Sequence, residues 1–393
     1  MHAMLGVTLI AICTFTQESL YAEGIETKGY VGVDARYFTE ESESQFSFSS
    51  ELDLYWQSEN SNNALNATFF SRVDDTDDER THSDIRELNW LHFQDRWELR
   101  LGIAKVFWGV TESVHLVDII NQTDSVESPD GEEKLGQPMV QLSSINSWGV
   151  IDAFVLPYFR ERTFSDGNAP LGIGFNINTD DALYESDEEE EHLDFALRYS
   201  HTFDIWDVAL SHFSGTAREP LLIPTLDVSE VSFTPFYPLI DQTGLELQAT
   251  LDAWLIKLEA IYQDNESEDF SASVAGFEYT HYGVIGSSAD LGLLAEFHYD
   301  SRQSRAMTPL QNDIFLGARL SLNDVQDTTL LAGVIQDTKS SNSMLAFVEA
   351  SRRFGESWVL TLDARLFQSE NTDDPIFLLN NSDHVTLDIS YYF

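Results

Sequence analysis

The chain has 393 residues, 42% of them hydrophobic and 12% aromatic, and carries 21 Lys and Arg against 67 Asp and Glu, a formal net charge of −46. So large an acidic excess excludes a phosphate-binding surface, which needs clustered cations, and with it nucleic acid as a partner. Beyond the N-terminus no uncharged apolar run reaches the roughly 20 residues that a spanning helix needs. Abundant aromatic residues without long apolar runs fit a transmembrane barrel instead, whose strands alternate lipid-facing and lumen-facing side chains.

The N-terminus reads as an export signal. Leu5–Phe15 is an apolar core of suitable length, and Leu20-Tyr21-Ala22 places a small residue at a cleavage position. Residues 1–22 are therefore expected to be a signal peptide, and 23–393 one barrel domain. The leader has no Lys or Arg, only His2. Cys13 raises lipidation as an alternative, but Ile12 before it is larger than that site accepts. Removal of the leader leaves no cysteine, in keeping with export.

From residue 28 onward, period-two alternation recurs. Phe46, Phe48, Leu52, Leu54 and Trp56 alternate with Ser47, Ser49, Glu51, Asp53 and Tyr55. Trp97, Leu99, Leu101 and Ile103 alternate with Glu98, Arg100 and Gly102, and Leu245, Leu247, Ala249 and Leu251 with Glu246, Gln248, Thr250 and Asp252. Trp358, Leu360, Leu362, Ala364 and Leu366 alternate with Thr361, Asp363 and Arg365. In the last ten residues Val385, Leu387, Ile389, Tyr391 and Phe393 share one face, opposite Thr386, Asp388 and Ser390. Eighteen strands are predicted, over 28–38, 44–57, 63–73, 85–93, 96–107, 139–146, 148–158, 192–202, 205–213, 241–252, 254–263, 271–283, 289–300, 312–322, 327–337, 343–354, 357–369 and 383–393. Sixteen is the alternative count, with 139–146 and 148–158 the least secure pair. Short connections (94–96, 323–326, 355–357) contrast with long ones (74–84, 108–138, 159–191, 214–240, 369–383), the asymmetry expected of periplasmic turns and outer loops. Tyr55-Trp56, Phe107-Trp108, Tyr158-Phe159, Trp254, Phe297, Tyr299 and Tyr391, near strand ends, suit an interfacial aromatic belt.

The terminal Phe393, preceded by alternating apolar residues, resembles the C-terminal signal of Gram-negative outer-membrane proteins. The resemblance implies an outer-membrane location and recognition by the barrel-assembly machinery. With the export signal and the strand count, the mature chain resembles a porin-like barrel, similar in strand number to alginate-export-type channels and substrate-specific porins. Trp108-Gly109-Val110-Thr111-Glu112-Ser113 through Asp118-Ile119-Ile120-Asn121 also resembles, loosely, a Trp-Gly preceding an acidic, Asn-containing loop in uncharacterised outer-membrane barrels. The fold expected is thus all-β, a transmembrane antiparallel barrel with an inserted loop after strand five. The function expected is passive passage of small polar or charged solutes, with no cofactor. A non-transporting surface barrel that binds a partner is the alternative, and an outer-membrane enzyme a third.

Arg36, Arg72, Arg100, Arg198, Lys257, Arg319 and Arg365 fall on polar strand faces and should line the lumen, because a charge facing lipid at mid-depth costs about 2–4 kcal/mol. Such charges set selectivity; arginine–carboxylate pairs that merely fill the barrel are the competing reading. Within 108–138, the helical spacing of Val114, Val117 and Ile120 predicts a short helix or folded segment tucked into the mouth or lumen. Glu112, Asp118, Asn121 and Asp124 would then offer oxygen atoms near the pore. The acidic runs Asp74–Glu79 and Glu185–Glu191 lack the glycine-punctuated spacing of a calcium loop and read as solvated, with no specific metal. No Gly-x-Ser-x-Gly or His-Glu-x-x-His occurs, and the histidines are dispersed, so no catalytic residue is assigned; His298 with Glu296 and Asp300 is one in-phase set. Expected partners are outer-membrane lipid, lipopolysaccharide through divalent bridging, and a small solute, with a homo-oligomer left open.

Overall fold

The structure, a computed structural model, describes residues 24–40, 43–127, 130–226, 231–306, 308–340 and 342–393. The expected signal peptide lies outside them. Eighteen strands form one closed antiparallel barrel. In chain order they are β1 (Ile25–Phe38), β2 (Glu43–Gln57), β3 (Asn63–Asp74), β4 (His82–Gln94), β5 (Trp97–Ala104), β6 (Gln137–Asn146), β7 (Gly149–Leu156), β10 (Asp194–Phe203), β11 (Trp206–Thr216), β14 (Leu239–Leu251), β15 (Trp254–Asp264), β16 (Asp269–His281), β17 (Asp290–Asp300), β18 (Asp313–Ser321), β19 (Thr329–Asp337), β20 (Met344–Phe354), β21 (Trp358–Gln368) and β22 (His384–Tyr392). The remaining four, β8 (Asn176–Ile177), β9 (Leu183–Tyr184), β12 (Leu221–Leu226) and β13 (Val231–Tyr237), form a small separate sheet in the connections after β7 and β11.

Closure comes from β22, which pairs with β1 in the register Asp34↔Asp388. The terminal Phe393 continues the zipper: its N–H donates to the Gly29 carbonyl at 3.0 Å and its carbonyl accepts from Gly29 N–H at 3.2 Å. A closed ladder leaves no unpaired edge, the condition for a sheet to sit in hydrocarbon.

Alternation sorts the side chains as the sequence predicts. On β1 and β2, Val33, Phe46 and Phe48 are about half exposed on the outer wall, while Asp34, Arg36, Ser47 and Ser49 are buried inside. On β22, Val385, Leu387, Ile389 and Tyr391 face outward, and His384, Thr386 and Ser390 face in. Both described ends of the chain lie at the rim with the short turns, such as 95–96, 147–148, 204–205 and 252–253. Exposed Trp97, Trp148, Trp206, Trp254 and Trp358 ring that rim, where an indole places its apolar body in lipid and its N–H toward headgroups. The opposite rim carries 105–136, 157–193, 217–238 and 369–383.

Two elements differ from expectation. The segment after β5 is folded but contains no helix among its described residues; its regular feature is one antiparallel bridge, Thr123↔Lys134. The connections after β7 and β11 build the small sheet: β12 pairs antiparallel with β13, and β8 and β9 add to β13 in parallel. Phe159, Tyr184 and Tyr237 pack as a three-ring cluster beneath it.

Candidate pore lining and the segment across it

Segment 105–136 leaves β5 and crosses the lumen to β15, β17 and β18, halfway round the ring. Two strand carboxylates catch its backbone there. Glu259 on β15 accepts N–H groups of Val110 at 2.7 Å and Thr111 at 3.0 Å, the Thr111 hydroxyl at 2.7 Å, and Val117 N–H at 3.3 Å. Glu296 on β17 accepts N–H groups of Glu112 at 2.8 Å and Ser113 at 2.9 Å, together with the Ser113 hydroxyl. A backbone without helix or ladder must place its N–H groups elsewhere, and a buried carboxylate is a strong acceptor. The Glu112 side chain meets Arg319 and lies 3.8 Å from Lys257.

The return limb is held differently, by its own carboxylates on basic side chains of the wall. Glu127 takes Arg72 at 2.9 Å and His82 at 2.8 Å; Glu133 takes Arg86 at 3.0 Å; Asp130 takes Arg365 at 2.6 Å. Together His82, Arg72 and Arg80 overcome the burial of Glu127 and hold its carboxyl down at about 2.

Between the segment and the wall from β6 to β16 the lumen is filled with apolar side chains. Val117 and Ile120, both 0% exposed, and Trp108 pack on Met139, Phe154, Leu156, Ala196, Phe213, Ile240, Ile261 and Phe270. Burial of each such side chain stabilises by roughly 1.5–3 kcal/mol. From β17 through β22 to β4 the lumen wall is mixed: Leu294, Phe315 and Ile335 form a second buried apolar cluster with Phe347, and the wall around it is charged. Arg365 is shared by Asp130, Glu349 at 2.9 Å and Asp363 at 3.1 Å. Arg319 is shared by Glu112 and Glu278, and Arg72 by Glu127 and Asp34 at 3.2 Å. The Glu349 side chain remains 40% exposed.

All seven predicted lumen cations lie on the inner wall, yet only Arg365 pairs with the carboxylate two residues along its own strand. Arg198 forks onto Glu246, with both bonds at 2.9 Å, rather than onto Asp194. Arg36 donates to Thr386 at 3.0 Å and Gln45 at 3.2 Å, and Arg100 to Gln141 at 3.1 Å. Thr386, Gln45 and Gln141 come from the adjacent strand, whereas Arg198 reaches over β11 to Glu246 on β14, and others are met by the segment. Among the four segment residues, Glu112 and Asp124 reach the charged wall, Asp124 lying 3.8 Å from Arg86 of β4. Asp118 accepts Trp108 N–H at 3.3 Å and lies 3.5 Å from Lys134. Burial raises its carboxyl to about 6, against the pull of Lys134 and that N–H. Asn121 ties the segment's base together, donating to the carbonyls of Ala104 at 2.9 Å and Leu135 at 2.8 Å and accepting Val106 N–H at 2.9 Å. Asp124 is fully buried and accepts the Thr163 hydroxyl at 2.9 Å.

His115, beside the crossing limb, lies 3.4 Å from Glu132 and 3.7 Å from Glu259. Burial opposes its charge, but the two carboxylates outweigh that and push the imidazole up to about 10. The acidic run after β3 is split: Asp74 and Asp77 are buried, Asp74 accepting N–H groups of Thr76 and Asp77 and Asp77 that of Glu79, while Asp75, Asp78 and Glu79 are exposed as expected. The Ser113 hydroxyl lies 2.6 Å from His298 Nε2, but it also meets Glu296, and Asp300 is engaged by Arg302 at 2.7 Å. Glu259 and Glu296, the anchors of the segment, do not stand out in the sequence as pore residues. Their only local signal is an inward strand position in phase with Lys257 and His298.

No family model matches the sequence, and no curated protein matches it. Solved structures do match. OccK5 (OpdH) of Pseudomonas aeruginosa is similar over 94% of this chain and 98% of its own, at 9% identity and a TM-score of 0.56. The loop-L8 deletion mutant of OmpT, an outer-membrane protein of Vibrio cholerae, aligns over 94% and 99% at 9% identity with a TM-score of 0.49. A point mutant of the Rh. blastica porin aligns over 94% and 100% at 11% identity with a TM-score of 0.44. The fold is that of a porin-like outer-membrane barrel. At these identities the likeness extends to architecture alone.

Proposed function

We propose that the protein is an outer-membrane channel for passive passage of small polar solutes, conducting along the β17–β4 side of its lumen with a preference for cations. The observation that carries this reading is the asymmetric segment: it seals one side with apolar packing and leaves the other lined by partly solvated charge. The cation preference rests on the sharing of Arg365, Arg319 and Arg72 among two or three carboxylates each. A wall of that composition attracts cations and repels anions. An enzymatic reading has less support, because Ser113, the hydroxyl nearest a histidine, is held by the Glu296 carboxylate that anchors the segment. Lipopolysaccharide, bridged by divalent ions to the acidic outer loops, and the barrel-assembly machinery are the partners this reading implies.

Planar-bilayer recording of the refolded protein tests the proposal. Discrete channels with a cation-favouring reversal potential are expected, and deletion of Ser113–Gly136 should raise conductance severalfold. Silence at every voltage and salt concentration would favour a non-transporting surface barrel, for which the dense clamping of the segment is the supporting observation.

A further inference from the structure

Below the crossing limb, at the short-turn end, the wall of β7, β10, β11 and β14 encloses a cavity of about 390 Å³. Val110 of the segment lies at its roof, and Arg198, Ser200, Thr202, Asp207, Ala209 and Glu246 line it. Above it the Trp108–Phe154 contact of the apolar cluster closes that end of the cavity, with the Arg198 guanidinium 5.7 Å from the Trp108 ring, and the cavity faces the short-turn rim. The side proposed to conduct lies across the lumen from it.

Its chemistry is bipolar. Arg198 forks onto Glu246 through Nε and Nη2, which leaves the Nη1 amine outside the fork. At the rim, Asp207 pairs with Thr202 in register and accepts its hydroxyl on Oδ1 at 2.6 Å, leaving Oδ2 outside that bond. Ser200 lies between the two ends, opposite Ala209. Glu246, which holds the guanidinium, is level with Ser200 through Ala209, two strand positions or roughly 7 Å along the backbone from the Thr202–Asp207 pair. A cation donor at the closed end, a carboxylate at the open end, and hydroxyl and small apolar surface between them suit a ligand of reversed polarity.

We propose that this vestibule pocket binds a small zwitterion, the carboxylate at Arg198 Nη1 and the ammonium at Asp207. The proposal concerns binding and stands apart from conduction.

Isothermal titration of the refolded protein with 5-aminopentanoate tests it, with pentanoate and pentylammonium as single-charge controls. The zwitterion should bind about tenfold or more tighter than either control, since each contact is a charge-assisted hydrogen bond. Asp207→Asn should reduce 5-aminopentanoate to the affinity of pentanoate. Ser200→Val, which fills the pocket and leaves the Arg198–Glu246 pair in place, should abolish binding of all three, with circular dichroism and heat-modifiable migration confirming the barrel. No heat with 5-aminopentanoate in the folded wild type, or unchanged affinity in folded Asp207→Asn, overturns the proposal. A barrel that binds the zwitterion but conducts nothing contradicts only the channel reading.

Discussion

Between β6 and β16 the lumen is closed by Val117, Ile120 and Trp108 against an apolar wall, whereas from β17 to β4 the same segment meets that wall through Glu112, Glu127, Asp130 and Glu133. The first contact is apolar; Glu259 and Glu296 accept its N–H groups, and Arg218 donates to the Ile120 carbonyl at 3.0 and 3.2 Å. The second leaves carboxylates such as Glu349 partly solvated. One stretch of chain thus divides a round barrel into a packed side and a wet side. On the channel reading, pore position is set by where apolar side chains occur in the insertion, and pore charge by the residues left over.

The largest effect should follow from wetting the packed side. Val117→Asp places a carboxylate in a fully buried apolar site beside the Glu259 carboxylate that accepts its N–H, and urea unfolding of the refolded barrel should show a loss of about 4 kcal/mol. A change below about 1 kcal/mol would mean the packed side already admits water.

Next comes Asp118, whose folded carboxyl titrates near 6 against 3.8 for a free one. The folded state then binds that proton more tightly, so this carboxyl's contribution to stability is highest at low pH and falls as pH rises from about 4 to 6, by about 3 kcal/mol. Urea titrations of wild type and Asp118→Asn across this range should differ by that slope. Parallel curves would show the carboxylate to be well solvated or better paired than the packing implies.

The smallest effect belongs to the wet side. Glu349→Lys should lower the cation-to-anion permeability ratio by about twofold or more, read from reversal potentials in a salt gradient, with little change in stability. The same reversal at a residue of the packed side, such as Phe154→Lys in a barrel that still folds, should leave selectivity unmoved.

Much of this fold is written locally. Each of the eighteen predicted spans corresponds to a barrel strand, including 139–146 and 148–158, which are β6 and β7, because a strand half in lipid must alternate residue by residue. Pairings across the lumen are not local. Nothing near Glu259 announces that it will hold Val110 and Thr111, and nothing near Arg72 announces Glu127. The spacing of Val114, Val117 and Ile120 suggests a helix, but those residues lie on an irregular path whose N–H groups end on wall carboxylates. The small outer sheet leaves little trace in the sequence because Pro224 and Pro235 interrupt strands that are already short.

The division of the lumen is tested most directly by cysteine accessibility, since the chain's single cysteine, Cys13, lies in the expected leader. Single substitutions Glu349→Cys and Asp363→Cys on the wet side, and Ala196→Cys and Ala272→Cys on the packed side, would be exposed to a charged methanethiosulfonate during bilayer recording. The division predicts rapid modification and a stepwise current change for the first pair and no reaction for the second. Equal reactivity of all four, or current change only from Ala196→Cys and Ala272→Cys, would contradict it.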